Sequence, residues 1–183
     1  MTLSYLERGI IMNETLNVLK ERRSIRKYKA EQVADKELDA ILEAGTWAAS
    51  GKGLQPAVMV VVQDQETISY MSRLNAEIQG KPGTDPFYGA PTVVVVLADG
   101  ENPNWVADGS LVLGNLMLAA ASLGLGSCWI NRAREEFDMP EWQEWLRRLG
   151  IEGDYEGIGH LAIGYADGEP RPAKPRKPCV YKV

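Results

Sequence analysis

Histidine is almost missing from this chain, cysteine is scarce, and no apolar stretch reaches the length of a membrane span. Each shortage removes a class of function. One histidine, His160, and two cysteines, Cys128 and Cys179, offer no zinc-ligand spacing and too few thiols for a disulfide scaffold. A cysteine nucleophile would need Cys128 to meet a histidine that the pattern places inside a strand, with no local motif behind the pair. No apolar run approaches the roughly 18–20 residues that cross a bilayer, and the N-terminus has no charged start followed by a long apolar segment. The reading is a cytoplasmic protein with free thiols. Positive charge is also in deficit, because 20 Lys and Arg against 25 Asp and Glu leave a formal net charge of -5. That balance argues against nonspecific nucleic-acid binding, which draws affinity from a basic surface. A Rossmann fingerprint fails on context, since Gly157-Ile-Gly159 opens a strand and Gly124-Leu-Gly126 lacks the third glycine.

What remains is a chain of 183 residues, 45% hydrophobic and 25% charged, suited to one domain or two small lobes with a common core. Residues 57 to 62, Ala-Val-Met-Val-Val-Val, and 92 to 97, Thr-Val-Val-Val-Val-Leu, are continuous β-branched runs of the kind buried on both faces of a sheet. A further strand is expected over Ile158 to Tyr165. Helices are expected from Asn13, a candidate N-cap, to the arginines at 22 and 23, and then over Asp35 to Ala48, Glu66 to Gln79, Asp108 to Leu123 and Asp138 to Leu149. The fourth of these is apolar nearly all round and must be buried, in the core or against another subunit. The last carries Trp142 and Trp145 on one face, with Asp138 and Glu141 as a capping-box signal. Gly80 to Pro91 reads as a loop and a candidate pocket rim, and the tail from Glu169 to Val183, with four prolines and five basic residues, cannot be a helix interior. Helices alternate with strands, without repeats, which points to α+β or α/β around one layered core. Residues 1 to 12 have no clear period and read as an N-terminal extension, with Met12 a candidate true start.

Against this acidic background the basic side chains gather locally. Arg22, Arg23, Ser24 and Arg26 crowd one helix exit. Guanidinium forks and a hydroxyl at short reach suit phosphate oxygens. The plainer account is cations offsetting the negative end of a helix dipole, about 0.3–1 kcal/mol each.

The order of segments decides between them. Arg22-Arg23-Ser24-Ile25-Arg26-Lys27-Tyr28, Ala48-Ala49-Ser50-Gly51-Lys52-Gly53-Leu54-Gln55-Pro56, Tyr88-Gly89-Ala90-Pro91, Leu123-Gly124-Leu125-Gly126-Ser127-Cys128-Trp129-Ile130 and Pro175-Arg176-Lys177 closely resemble, in sequence order, the nitroreductase family of FMN-dependent oxidoreductases. The resemblance spans residues 13 to 183 and implies a single FMN-binding domain. The implied fold is α+β, a central mixed sheet flanked by helices, in an intertwined homodimer with FMN at the subunit interface. It also implies a ping-pong enzyme, in which NAD(P)H passes hydride to flavin N5 and a small oxidised acceptor, a nitroaromatic, quinone or similar electrophile, takes its place. No side chain is implied as a nucleophile, because the flavin carries the chemistry.

By the same resemblance, Arg22 and Ser24, beside Arg23 and joined by Arg176 and Lys177 from the tail, hold the phosphate. Arg26 lies by the pyrimidine edge, where a cation stabilises negative charge on the reduced ring. Backbone N–H groups in the Trp129 to Arg132 turn, which includes Ile130 and Asn131 and follows Cys128, face N5 and O4. Ala49, Ser50, Gly51, Gly53 and Gln55 arrive from the other subunit, and Asn75 is a candidate ring contact. Two departures fall in this site. Where the family often reads Pro-Ser-Ser-x-Asn-x-Gln-Pro, Ala49, Gly51 and Gly53 replace the proline, second serine and asparagine, so the loop is expected to be more flexible. Asn131 stands where many relatives have glycine, and Asn tolerates left-handed geometry. These changes keep two alternatives open: a specialised family member that reduces enones, dehalogenates or transforms flavin, and a flavin-binding protein with little turnover. Trp47, Phe87 and Tyr88 are candidate pocket liners, while Trp142, Trp145 and His160 are read as structural.

Overall fold

The computed structural model describes residues 13–183; the N-terminal extension expected over residues 1–12 lies outside them. Four strands form one sheet: β1 (Ala57–Val62), β2 (Thr92–Asp99), β3 (Gly126–Ile130) and β4 (Tyr155–Gly164), in the order β1-β2-β4-β3. All three pairings are antiparallel, with Val95 opposite both Val60 and His160. The sheet's one parallel contact among the described residues is an isolated bridge from Ser24 to Ser127 on the outer edge of β3. Val93 to Ala98 are fully buried, so the valine runs record burial on both faces rather than strand direction.

Helices cover the two faces. On one side lie α2 (Asp35–Thr46) and α4 (Trp105–Ser122), whose Leu38, Ile41, Leu113 and Leu116 pack on Val94, Val96, Leu161 and Ile163. On the other lie α3 (Gln65–Ile78), α5 (Ala133–Phe137) and α6 (Pro140–Arg148), which bring Ile68, Met71, Phe137, Trp142 and Leu146 onto Val60, Val95 and Cys128. Each fully buried side chain of this kind contributes about 1.5–3 kcal/mol. The tryptophans are packing residues, Trp142 standing 5.3 Å from the Phe137 ring and edge-on to Trp145 at 5.4 Å.

Against the expectation that no stretch reaches the length of a membrane span, α4 is long and apolar enough, at a mean hydropathy of 1.2 over 18 residues, to cross a membrane by length and composition. It is a core helix instead, with Leu113 and Leu116 fully buried against the sheet. Its burial is one-sided, because Val106 and Leu111 remain 54% and 48% exposed.

Three local expectations are corrected. α1 (Glu14–Glu21) has its N-cap at Asn13, which accepts from Leu16 N–H at 2.9 Å, but it ends before the arginines. Arg22 is its C-cap and Arg23 lies beyond, so only Lys20 sits in the last turn. α2 likewise stops at Thr46, with Trp47 as its C-cap. The capping box at Asp138 does not form: Asp138 closes the short α5, Met139 is the N-cap of α6, and Pro140 at the first helical turn supplies the preset φ. Glu141 instead accepts from Tyr70 Oη at 2.7 Å.

α5 is seated by a missing side chain. A Cβ on Gly157 of β4 would lie 2.3 Å from the Ala133 carbonyl carbon and oxygen, so helix backbone rests directly on strand. Gly157→Ala should cost at least about 1–3 kcal/mol through overpacking; a urea midpoint equal to that of the parent chain would show that α5 can lift without loss.

Candidate functional site

The segment from Arg22 to Tyr28 runs along the free edge of β3. Ile25 N–H donates to the Ser127 carbonyl at 3.0 Å, and Tyr28 closes the segment, its hydroxyl donating to the carbonyls of Ile25 (2.9 Å) and Ala162 (3.3 Å). Burial raises the Tyr28 phenol well above its ordinary pKa, so it stays a donor. Arg22, Ser24 and Arg26 thereby gather around Cys128, whose thiol is raised by burial and drawn back by Arg26, a hydrogen bond with Ser24, and Arg22. Arg22 Nη1 is out of solvent and makes no hydrogen bond among the described residues. A desolvated guanidinium nitrogen without an acceptor is costly in a finished protein, and an anionic oxygen at that point offsets the cost. Arg23 differs, because its Nη1 donates to the carbonyls of Lys20 (2.6 Å) and Arg22 (2.8 Å).

Beside this cluster an open cleft of about 390 Å³ is lined by Gln79, Thr84, Tyr88, Trp129, Asn131 and Arg132. The Arg26 guanidinium stands 6.0 Å from the Tyr88 ring centroid and links cleft to cluster. Tyr88 and Gly89 both have positive φ. That turn is held by Asp85, which accepts from Ser72 Oγ, Phe87 N–H (2.9 Å) and Gly89 N–H (2.6 Å). Phe87, a candidate liner, is fully buried against His160 instead, and Trp47 stands 79% exposed.

The loop from Ala49 to Gln55 lies elsewhere. It leads into β1, at the sheet edge opposite β3, roughly 14 Å away across three interstrand steps. It is fastened rather than open: Gly51 N–H donates to Asp108 Oδ1 and Gln55 N–H to Ser50 Oγ, both at 3.0 Å, with Gly53 N–H on the Ser50 carbonyl at 3.1 Å. The tight turn places Lys52, Gly53 and Gln55 at positive φ, so Gly53 fits the turn, and α4 supplies the fixing group through Asp108. Arg176 and Lys177 are exposed in an extended tail, and no hydrogen bond or ion pair ties either to the Arg22 cluster.

Asn75 is fully buried on α3 rather than on the cleft surface, its amide donating to the Asn131 carbonyl at 2.8 Å. Sequence reasoning did not find Gln79, Thr84 or Asp108, none of which belongs to a short motif.

Fold and site together define a class: an α+β protein with a basic cluster at a sheet edge, next to an open cleft of about 390 Å³. Residues 19–165 match the nitroreductase family model. The chain belongs to the nitroreductase family. It is 31% identical to the FMN reductase [NAD(P)H] of Bacillus subtilis, over 91% of this chain and 71% of that one. Its fold superposes on an FMN-bound nitroreductase from Bacteroides fragilis with a TM-score of 0.84 at 30% identity, covering 94% and 99% of the two chains. An FMN-bound nitroreductase from Desulfitobacterium hafniense gives 0.83 at 30% identity, covering 94% and 100%.

The raised Cys128 thiol, 3% exposed, should be inert to a disulfide reagent at pH 7–8, whereas Cys179 is exposed. Titration should find one reactive thiol in the native chain and two in urea; two native thiols of equal rate would mean that the β3 edge opens freely.

Proposed function

We propose that this chain is a cytoplasmic FMN-dependent oxidoreductase, working as a homodimer, that uses NAD(P)H to reduce a small oxidised acceptor such as a nitroaromatic or a quinone. The observation that carries the reading is the unpartnered, desolvated Arg22 Nη1 beside Ser24 and Arg26, a donor set suited to a dianionic phosphate. When bound, FMN supplies two-electron chemistry, accepting hydride from NAD(P)H and passing it to the acceptor in ping-pong order.

The chain's own residues bind and orient. Arg22 and Ser24 donate to phosphate oxygens, with Arg176 and Lys177 completing the clamp when the tail closes over it. Arg26 would place positive charge at the pyrimidine edge of a bound flavin and there favour negative charge on the ring. The Trp129 to Arg132 turn supplies backbone donors, and Tyr88 forms part of the wall against which both NAD(P)H and acceptor bind. The start of the Ala49 to Gln55 loop at the opposite sheet edge supports a homodimer in which this loop completes the partner's site rather than its own. The exposed Val106 and Leu111 on α4 supply apolar surface for that contact.

Purified protein should show a flavin absorption spectrum that bleaches with NADH or NADPH under anaerobic conditions. Arg22→Ala should weaken FMN binding about tenfold or more, through loss of a charge-assisted bond worth about 1.5–3 kcal/mol. No uptake of added FMN by the parent chain would overturn the assignment. Sedimentation should give a dimer at micromolar concentration, and a monomer that holds FMN fully would remove the shared-site arrangement.

A further inference from the structure

The 129–132 turn carries a device that no spacing in the sequence reveals. Gln79 Nε2 donates to Asn75 Oδ1 at 2.5 Å, and Asn75 Nδ2 donates to the Asn131 carbonyl at 2.8 Å. Asn75 is fully buried, while Gln79 is half-buried and Asn131 exposed, so both bonds start from a shielded amide and reach out to the cleft wall, and the buried end gives each more influence on geometry than a bond between two surface groups. The acceptor is a backbone carbonyl, and the peptide that follows it is trans, as are all the described peptide bonds. In a trans peptide the N–H points opposite to the C=O. Tying the Asn131 carbonyl to α3 therefore aims the Arg132 N–H away from α3. Arg132 is the N-cap of α5, with φ 81, a left-handed conformation rare for arginine. Its N–H makes no hydrogen bond within the described chain. An uncommon backbone conformation and a free donor coincide on the wall of the cleft, and a single side-chain amide faces the peptide from behind.

We infer that Asn75, held in register by Gln79, is a positioning residue of the flavin site: it clamps the Asn131 carbonyl and so fixes the Arg132 N–H as a donor for the bound ring. The inference rests on the FMN reading. It assigns Asn75 an action through the turn instead of contact with the ring, and it explains why asparagine suffices at position 131. Glycine's freedom is not needed there, because the left-handed residue is Arg132 and the peptide between them is held from outside. Asn75 needs both ends of its amide, Oδ1 for Gln79 and Nδ2 for Asn131, so leucine of similar size removes the clamp while filling the space.

Aimed at O4, which shares the negative charge of the reduced ring, this donor would bind reduced flavin better than oxidised flavin. The test measures FMN affinity in both redox states, together with amide hydrogen exchange in FMN-free protein, for the parent chain, Asn75→Leu and Gln79→Leu. Asn75→Leu should weaken reduced FMN about tenfold more than oxidised FMN, which lowers the two-electron potential by about 30 mV. It should also speed exchange in residues 131–134 without flavin. Gln79→Leu, which leaves the Asn75 to Asn131 bond in place, should move both readouts the same way by a smaller factor, and it carries the test if Asn75→Leu does not fold. Equal weakening of both redox forms, or none, overturns the inference. So does a changed affinity ratio with unchanged exchange in the flavin-free chain, because Asn75 would then act on the ring itself. A parent chain that binds no FMN is a separate failure and falls on the functional reading.

Discussion

Close approach to β4 is the constraint on which the rest of the site depends. This strand lies between β2 and β3, and two of its glycines let other parts of the chain come nearer than any side chain permits. At Gly157 the backbone of Ala133 lies where a Cβ would be, and at Gly164 a Cβ would stand 2.8 Å from Pro91 Cδ and 3.0 Å from Tyr28 Cδ1. The first contact seats α5, and with α5 the Arg132 turn at its start. The second seats Tyr28, and with Tyr28 the basic segment that leads back to Arg22. Both halves of the anion-and-ring cleft thus take their position from one strand, and core packing, which does not tolerate small displacements, transmits that position to the site.

Polar groups fix what packing alone leaves free. Glu136 of α5 and His160 of β4 lie 3.1 Å apart, both fully shielded from water, with the rings of Phe87 and Phe137 at 5.2 and 6.2 Å from the imidazole. Desolvating such a pair costs several kcal/mol, and its attraction recovers that only when the geometry is held. The two groups face each other without a formed hydrogen bond, so they are a buried polar contact between α5 and β4 in an otherwise apolar layer. Asp85 acts in the opposite wall, where one carboxylate collects a serine hydroxyl and two backbone N–H groups and so fixes a turn with two consecutive positive φ values at Tyr88 and Gly89. The cleft is lined by loops, and a polar side chain holds each of these two: buried Asn75 behind the 129–132 turn and exposed Asp85 at the Tyr88 turn.

The legible parts of the fold were those with a local physical signature. The valine runs of β1 and β2 and the apolar length of α4 announce burial, and burial sets composition over many consecutive residues. Strand direction leaves no such mark: a strand covered by helices on both sides reads alike whether its neighbours run parallel or antiparallel, and here they run antiparallel. α5 was not legible because five residues make too few turns for a period to emerge, and the neighbouring Asp138 and Glu141 imitated a cap that Pro140 pre-empted. In the site, Arg22, Ser24 and Arg26 were visible as a cluster because they are adjacent in the chain. Arg23 is adjacent to them in the chain, yet its Nη1 turns back onto the carbonyls of Lys20 and Arg22, a rotamer that adjacency does not encode. Asn75 meets Asn131 across 56 residues, and no sequence pattern encodes a bond from a side chain to a distant carbonyl. The places of Arg176 and Lys177 rested on family resemblance alone, and the extended tail leaves them apart from the cluster.

Charge distribution explains how so acidic a chain can still favour an anion. A net charge of -5 repels polyanions at long range, but screening at physiological salt confines surface fields to about 8 Å. Within that distance a ligand meets Arg22 and Arg26, not the average of the molecule. Arg22 Nη1 is already stripped of water, so the penalty for its desolvation falls on folding and not on binding, and a small anion that reaches it gains most of the attraction. An extended polyanion such as a nucleic acid gains the same few contacts while lying against acidic surface on either side. The contrast between global and local charge therefore supports the proposed reading, a compact phosphate attached to an uncharged planar body. The adjacent cleft then supplies what the phosphate contacts cannot, a surface shaped for the rest of the ligand.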